Sequence, residues 1–544
     1  MKRCPECRRD YYDDTLVYCL DDGNALLDGP GGIHSTAAPS AEPATVMLHT
    51  TEPPNVEPAT RLFSASSGEH LDNSNAIAVL PFANLSHSED SEYFSDGLAE
   101  ELLNVLSKIR GLRVVARTSA FAFKGKQASI EEIGRALHVQ SVLEGSVRMA
   151  GERVRIAVQL VDVENGYYLW SETYDRTMDD IFAIQDDIAH SVVEELRSRL
   201  VDGPGAEMGE KVASEVANAV KGRAANAEAH RLMLLGRYLV DRTTQDDTLK
   251  ATEYFRQALE LDPGYALCWA ELGQAHRLAA GAGWEELGSG IIKAREAAER
   301  AIALEPDLAE GYAVLSWIHL MDLDFRKAES MSSRALELAP GNSFVLLRVA
   351  SVRQSLGLFD DIIDLYQKAL ILDPLSARCL HNFGRANYYM GRLAEAESAF
   401  SGALELAPQK VLTRASLALV LLAQGRSDEA LAQAMLEPGE FWRLRSLAII
   451  YDAAGRRADS DEALAGLVSG SAKEYAFQIA EIYSSRGEPD AALDWLERAL
   501  AERDPGLYGV KVSPELRPLQ GNPRYQELLR KIGFPDENLS RDAL

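Results

Sequence analysis

The chain is poor in sulfur, in long apolar runs and in positive charge. Five cysteines in 544 residues are too few for a disulfide framework, and three of them, Cys4, Cys7 and Cys19, crowd into the amino terminus. No apolar stretch follows the charged opening MKRCPECRRDYYDD, so no secretory signal is expected. The most apolar later run, LALVLLA at 417–423, falls far short of the roughly 20 residues a membrane span needs. Against 83 acidic residues stand 56 basic ones, a formal net charge of −27. That excess argues against broad binding to nucleic acid or to an anionic membrane. Together these absences predict a cytoplasmic protein with no membrane attachment.

Catalytic templates are missing too. The sequence holds no GxxxxGK[ST], HExxH or GxSxG, and no HRD or DFG pair. Its ten histidines are scattered, with no two at ligand spacing. Asp96, Glu100 and Glu101 are close together, but a helix starting near Ser95 or Asp96 would place them in its first turn, where acids favour the dipole. No enzyme is expected.

What the chain has instead is a period. The phrases ALELDP, AIALEP, ALELAP, ALILDP and ALELAP end at Pro263, Pro306, Pro340, Pro374 and Pro408, and the last four prolines fall 34 residues apart. A 34-residue period predicts a solenoid of helical hairpins. Within 377–408, Leu380, Phe383, Gly384, Gly391, Ala396, Phe400 and Ala403 alternate large and small side chains. Large residues fill between hairpins, and small ones let two helices approach. The pattern resembles the tetratricopeptide repeat, and about eight units fit between 225 and 505. The first helix of each unit should line a concave groove. In the central units that face should carry Trp317, Phe344, Arg348, Arg378, His381, Asn382, Arg385 and Tyr388, a set suited to a protein or peptide partner. Residues 506–544 read as a cap and tail, with a last helix at about 522–532.

Before the repeats, residues 75–203 alternate strand and helix patterns. IAVLPF (77–82) and LRVVAR (112–117) read as strands, and SIEEIGRALH as a helix opened by Ser129 with Glu132 at the capping-box position. SVLEGSVRM, VRIAVQLVD and YYLWSETY read as a three-stranded meander, followed by an amphipathic helix at 179–200. The run from IAVLPF to YYLWSETYDR resembles the TolB-amino-terminal-like domain, which in its relatives precedes tetratricopeptide repeats. That resemblance implies an architecture more than an activity. Residues 28–74, rich in Pro, Ala, Ser, Thr and Glu, read as a disordered linker.

The first 27 residues hold Cys4-Pro-Glu-Cys7 and Cys19-Leu-Asp-Asp22, two knuckle-like turns. Structural zinc takes four ligands in two closely spaced pairs, and Cys4, Cys7, Cys19 and Asp22 supply them, with Asp21 as the alternative fourth donor. The segment resembles a short zinc ribbon in which one Cys has become Asp. Lys2, Arg3, Arg8 and Arg9 give it a small basic patch, which nearby aspartates balance.

The expectation is a multidomain chain: a small zinc ribbon, an α/β TolB-N-like domain, then an all-α tetratricopeptide-repeat solenoid. It is a non-enzymatic scaffold holding a protein partner in the groove, with one structural Zn(2+) and self-association through the α/β domain as a further expectation. The alternative is a transcriptional or signalling regulator whose ribbon contacts DNA.

Overall fold

The computed structural model describes residues 76–86, 89–109, 111–150, 153–177, 181–198, 226–241, 245–281, 284–471 and 475–534, together with three two-residue strands near the amino terminus. The chain divides into two compact units, Met1–Glu52 and Pro53–Leu544. In the first, β1 (Lys2–Arg3) pairs antiparallel with both β2 (Asp10–Tyr11) and β3 (Leu27–Asp28), giving a sheet of order β2-β1-β3. Cys4, Cys7, Cys19, Asp21 and Asp22 lie outside the described residues, as does the linker expected for 28–74 beyond Asp28.

The second unit opens with a six-stranded sheet. Its strands are β4 (Ala76–Val79), β5 (Ala83–Asn84), β6 (Arg113–Val114), β7 (Ser141–Ala150), β8 (Arg153–Asp162) and β9 (Tyr168–Thr177). The order is β6-β4-β7-β8-β9, with β5 also on β7. β4 runs parallel to β6 and β7, while β7, β8 and β9 form an antiparallel meander.

The sheet is covered on both sides, and the two-residue period of β4 shows it. Ile77 and Val79 face a core with Leu98, Leu102 and Leu106 of α1 (Glu89–Ser107) and Ile184, Ile188 and Val192 of the closing helix. Ala76 and Ala78 face the opposite core, with Ile133 and Leu137 from the helix that Ser129 caps. α2 (Arg117–Phe121) begins where the sequence pattern extends a strand to residue 117, and only Arg113–Val114 pair as β6. The helix α3 (Ile130–Leu137) keeps its expected capping box: the Ser129 hydroxyl accepts from Glu132 N, and the Glu132 carboxylate accepts from Ser129 N. α4 (Ile181–Ser198) closes the domain.

Among the described residues, sixteen helices then form eight consecutive hairpins from Ala227 to Glu502. The inner helix of each hairpin comes first. These are α5 (Ala227–Asp241), α7 (Ala266–Gly281), α9 (Ala309–Met321), α11 (Ser343–Leu356), α13 (Ala377–Tyr389), α15 (Thr413–Ala423), α17 (Glu440–Ala453) and α19 (Ala476–Ser485). Their partners are α6 (Gln245–Leu261), α8 (Leu287–Leu304), α10 (Phe325–Leu338), α12 (Ile362–Leu372), α14 (Leu393–Leu406), α16 (Ser427–Met435), α18 (Arg457–Ser471) and α20 (Pro489–Glu502). Small residues sit where helices meet: a Cβ on Gly384 would stand 3.0 Å from the Phe400 ring, and one on Gly236 only 2.5 Å from that of Phe255.

Two 3-10 turns, Pro505–Gly509 and Pro514–Leu519, and α21 (Pro523–Ile532) follow. This carboxy-terminal segment does more than cap the last hairpin. Leu507, Val510, Leu516, Leu519, Tyr525, Leu528 and Ile532 share one core with Leu320, Phe325, Val352 and Leu356 of the third and fourth hairpins. Phe534 stacks on Phe325 with centroids 4.2 Å apart. The array therefore curls until its end meets its middle.

Candidate ligand groove of the solenoid

The helical period places Arg378, Asn382 and Arg385 along one stripe of α13, and Phe344 and Arg348 one turn apart on α11. The guanidinium of Arg348 lies over the Phe344 ring, 5.6 Å from its centroid. Trp317 of α9 is covered in the same way, at 5.1 Å, by Arg277 of α7, a residue outside the set expected from the sequence. Trp317, Phe344, Arg348, Asn382 and Arg385 are partly buried and Arg378 is exposed.

Two residues expected in the groove serve other purposes. His381 is buried, with Nδ1 3.1 Å from the Thr413 hydroxyl and its ring 5.4 Å from that of Phe400. Burial, then the charges of Lys410 and Arg385, hold its pKa well below the ordinary value, so it is a neutral packing residue. Tyr388 is half-buried and donates its hydroxyl to Glu515 of the carboxy-terminal segment at 3.1 Å. Arg517 reaches across to the Tyr389 carbonyl at 2.6 Å. Behind Tyr388 sits a buried ionic knot. Arg445 donates to Glu481 at 2.8 Å and lies 3.6 Å from Glu515, while the Ser513 hydroxyl contacts both Glu481 and Glu515. Burial, partly offset by Arg445 and reinforced by Glu515, pushes the Glu481 carboxyl up to about 7.

A second ionic cluster joins the α/β domain to the first repeats. α1 begins at Glu89, so Asp96, Glu100 and Glu101 lie in its interior and not in its first turn; this corrects the capping expectation. Glu100 pairs with Arg117 at 2.9 Å and with Arg237 of α5 at 2.7 Å, and Arg237 also holds Glu271 of α7 at 2.7 Å. Asp96 accepts from Lys124 at 2.6 Å, and Glu101 lies 4.0 Å from His230. Burial opposes the Arg237 charge, but Glu271 and Glu100 outweigh it and hold its pKa well above the ordinary value. A second contact joins the domain to the middle of the array. Ala116 N donates to Leu372 O at 2.6 Å, and the Ser119 hydroxyl donates to Asp373 and accepts from Leu375 N.

Cys268 and Cys379 are buried, and burial pushes both thiols up, Cys379 to about 12, so neither is a nucleophile. Among the described residues no group of three His, Cys, Asp or Glu side chains gathers as a metal site, and no helix is long and apolar enough to cross a membrane.

Residues 377–410 and 476–507 match models of the tetratricopeptide repeat. The chain contains tetratricopeptide repeats. Residues 73–191 match the second domain of HilA/YgeH-like transcriptional regulators. The chain is similar to a Rhizobium meliloti (strain 1021) protein named "Putative adenylate cyclase 3", at 39% identity over 197 residues, 36% of this chain and 32% of that one. It thus spans about a third of that relative's length. Among solved structures it is similar to a thermophilic tetratricopeptide-repeat protein of Thermus thermophilus. The identity is 23% and the TM-score 0.30, over 36% of this chain and 99% of that one. For PilF of Pseudomonas aeruginosa the values are 17% and 0.31, over 38% and 90%.

Proposed function

We propose that this protein is a non-enzymatic cytoplasmic scaffold that holds a protein partner on the inner helices of its repeat array. The observation that carries this reading is the unbroken run of eight hairpins, whose α9, α11 and α13 present aromatic and arginine side chains along one inner face. Repeat arrays of this kind generally bind extended peptides or protein surfaces. The test is native affinity capture with the full chain beside a groove variant, Arg378→Glu with Asn382→Ala. A partner retained by the wild type and lost by the variant supports the reading; identical captures end it.

The amino-terminal segment is, in this reading, a zinc ribbon tethered to a domain of the TolB-amino-terminal kind. In sequence, Cys4 and Cys7 fall between β1 and β2, and Cys19 and Asp22 between β2 and β3, two closely spaced pairs of the kind a structural zinc site uses. Those four residues would hold one structural Zn(2+), with Asp21 the alternative to Asp22.

A second reading, a transcriptional regulator whose ribbon contacts DNA, is favoured by the match of residues 73–191 to a regulator's second domain. Gel shifts with zinc-loaded protein at low salt decide it, and no retardation removes it.

A further inference from the structure

The arginines of the groove lack the carboxylate partners that Arg237 and Arg445 have. Among the described residues no carboxylate lies within ion-pair distance of Arg277, Arg348, Arg378 or Arg385. Arg277 is 9% exposed; its Nε donates to the Gln274 side chain at 2.8 Å and its plane covers Trp317. The Nε atoms of Arg348 and Arg385 are buried with no hydrogen-bond partner. The four residues come from three inner helices, α7, α11 and α13, with α9 lying between the first two, and they sense one another. Burial, then the charges of Arg348 and Arg378, hold the Arg277 pKa well below its ordinary value. Burial, then Arg378 and Arg385, bring Arg348 down to about 10. Lys410 is also lowered, by burial and then by Arg378. Tyr508 of the carboxy-terminal segment lies within electrostatic reach of Arg348 and Arg385.

At Arg277 and Arg348 this arrangement costs stability; Arg378 is exposed, and Tyr508, Tyr389 and Tyr366 outweigh burial at Arg385 and hold its pKa above the ordinary value. Sequestered like charges repel, and a guanidinium withdrawn from water without a counter-ion is penalised. The chain has 83 acidic residues against 56 basic ones, so counter-ions are not in short supply. At the α/β junction Arg237 is given two. Leaving Arg277 and Arg348 buried without one, within electrostatic reach of Arg378, is intelligible if the missing charge arrives with a ligand.

We propose that Arg277, Arg348, Arg378 and Arg385 form an anion-binding centre inside the solenoid for a compact, multiply charged phosphate group. A single carboxylate would leave most of this positive charge uncompensated. Acidic side chains on one face of an extended peptide stand about 7 Å apart, too dispersed for several to reach the deepest residue, Arg277, together. A chain of phosphates concentrates charge and accepts paired N–H groups from each guanidinium fork. The site uses the same inner face as the scaffold reading and rests on it for its location only.

The test is isothermal titration calorimetry of the full chain with tripolyphosphate, comparing the wild type with Arg277→Gln and Arg348→Gln, and with Arg524→Gln as a surface control whose partners are Asp494 and Glu497. Saturable binding is expected in the wild type and the control, weakened about tenfold or more by either groove substitution, the loss that removing one charge-assisted contact brings. The unliganded Arg348→Gln protein should melt at the wild-type temperature or above it, because a repulsive charge has gone. No binding of tripolyphosphate overturns the proposal, as does equal affinity in both groove variants. A lower melting temperature for Arg348→Gln would also overturn it, by showing that the charge serves the fold. Should Arg277→Gln not fold, Arg378→Gln at the exposed end of the cluster replaces it. An Asp/Glu-rich peptide binding more tightly than tripolyphosphate overturns the phosphate assignment. Partner capture that survives while tripolyphosphate fails removes the anion centre and leaves the scaffold standing.

Discussion

Two groups of buried arginines stand a few helices apart and are treated in opposite ways. At the junction of the α/β domain with the first hairpins, Arg237 and Arg117 share Glu100, and Arg237 also holds Glu271. In the groove, Arg277 and Arg348 lie over aromatic rings and Arg385 reaches the Tyr366 hydroxyl. A paired guanidinium fixes two elements in one relative position. An unpaired one leaves its bonding capacity open. The same residue type thus marks a joint in one place and a receptor in the other.

That contrast can be broken at the joint first. Arg237→Leu should destabilise the protein by about 3–5 kcal/mol, because it strands Glu271 and leaves buried Glu100 with Arg117 alone. Chemical denaturation measures this, and the contrast sharpens if Arg348→Gln in the same assay costs nothing. Gly236→Ala, beside Arg237, should cost about 1–3 kcal/mol, since its Cβ meets the rigid Phe255 ring and not a flexible side-chain end. A loss below that range would show that the first hairpin yields where the others do not.

A third ionic group, Arg445–Glu481–Glu515, lies between the two extremes: it is paired, but with one carboxylate in excess. Its pH dependence follows from that excess. Glu481 has a folded pKa raised to about 7 from an ordinary 4.5, so the folded state binds the extra proton more tightly. The resulting stability is complete below about 4.5 and is lost as the pH rises through about 7. Melting temperatures should therefore be lower at about pH 8 than at about pH 6, and Glu481→Gln should flatten that difference. The smallest effect concerns the amino terminus. On the proposed ribbon reading, Cys7→Ser should release one zinc and leave the melting of the repeats unchanged, because such a segment would fold around its metal alone. Zinc analysis beside calorimetry checks both halves.

Local signals in the sequence were legible and distant partners were not. The proline spacing and the alternation of large and small residues around Gly384 and Phe400 are written within one hairpin, and so is the Ser129–Glu132 capping box within one helix start. Glu100 could be misread as a dipole acid because its partner Arg237 is 137 positions further along the chain. Its helix also begins earlier than Ser95, at Glu89 behind Ser88, a start the sequence reading passed over. Tyr388 fell on the predicted inner face, but Glu515 is 127 positions away and nothing local announces it. Arg277 was missed for a different reason. It lies 14 residues after Pro263, where the next two units carry Leu320 and Gln354, both buried, so the period read across the insert AAGAGWEELGSG marks it as a core position.

The return of the carboxy-terminal segment onto the third and fourth hairpins changes how the array should come apart. An open stack of repeats behaves as a one-dimensional chain whose ends fray first and whose units melt nearly independently. Here Phe534 on Phe325, and Leu516 and Tyr525 in one core with Leu320 and Leu356, couple the segment 505–534 to the centre. The ends are thereby tied, and hairpins five to eight form a loop that must open as a whole. Hydrogen exchange should show one shared opening free energy across that loop in place of a gradient rising from the terminus. Folding should be slow for a helical protein, since closing the loop needs its most distant contact.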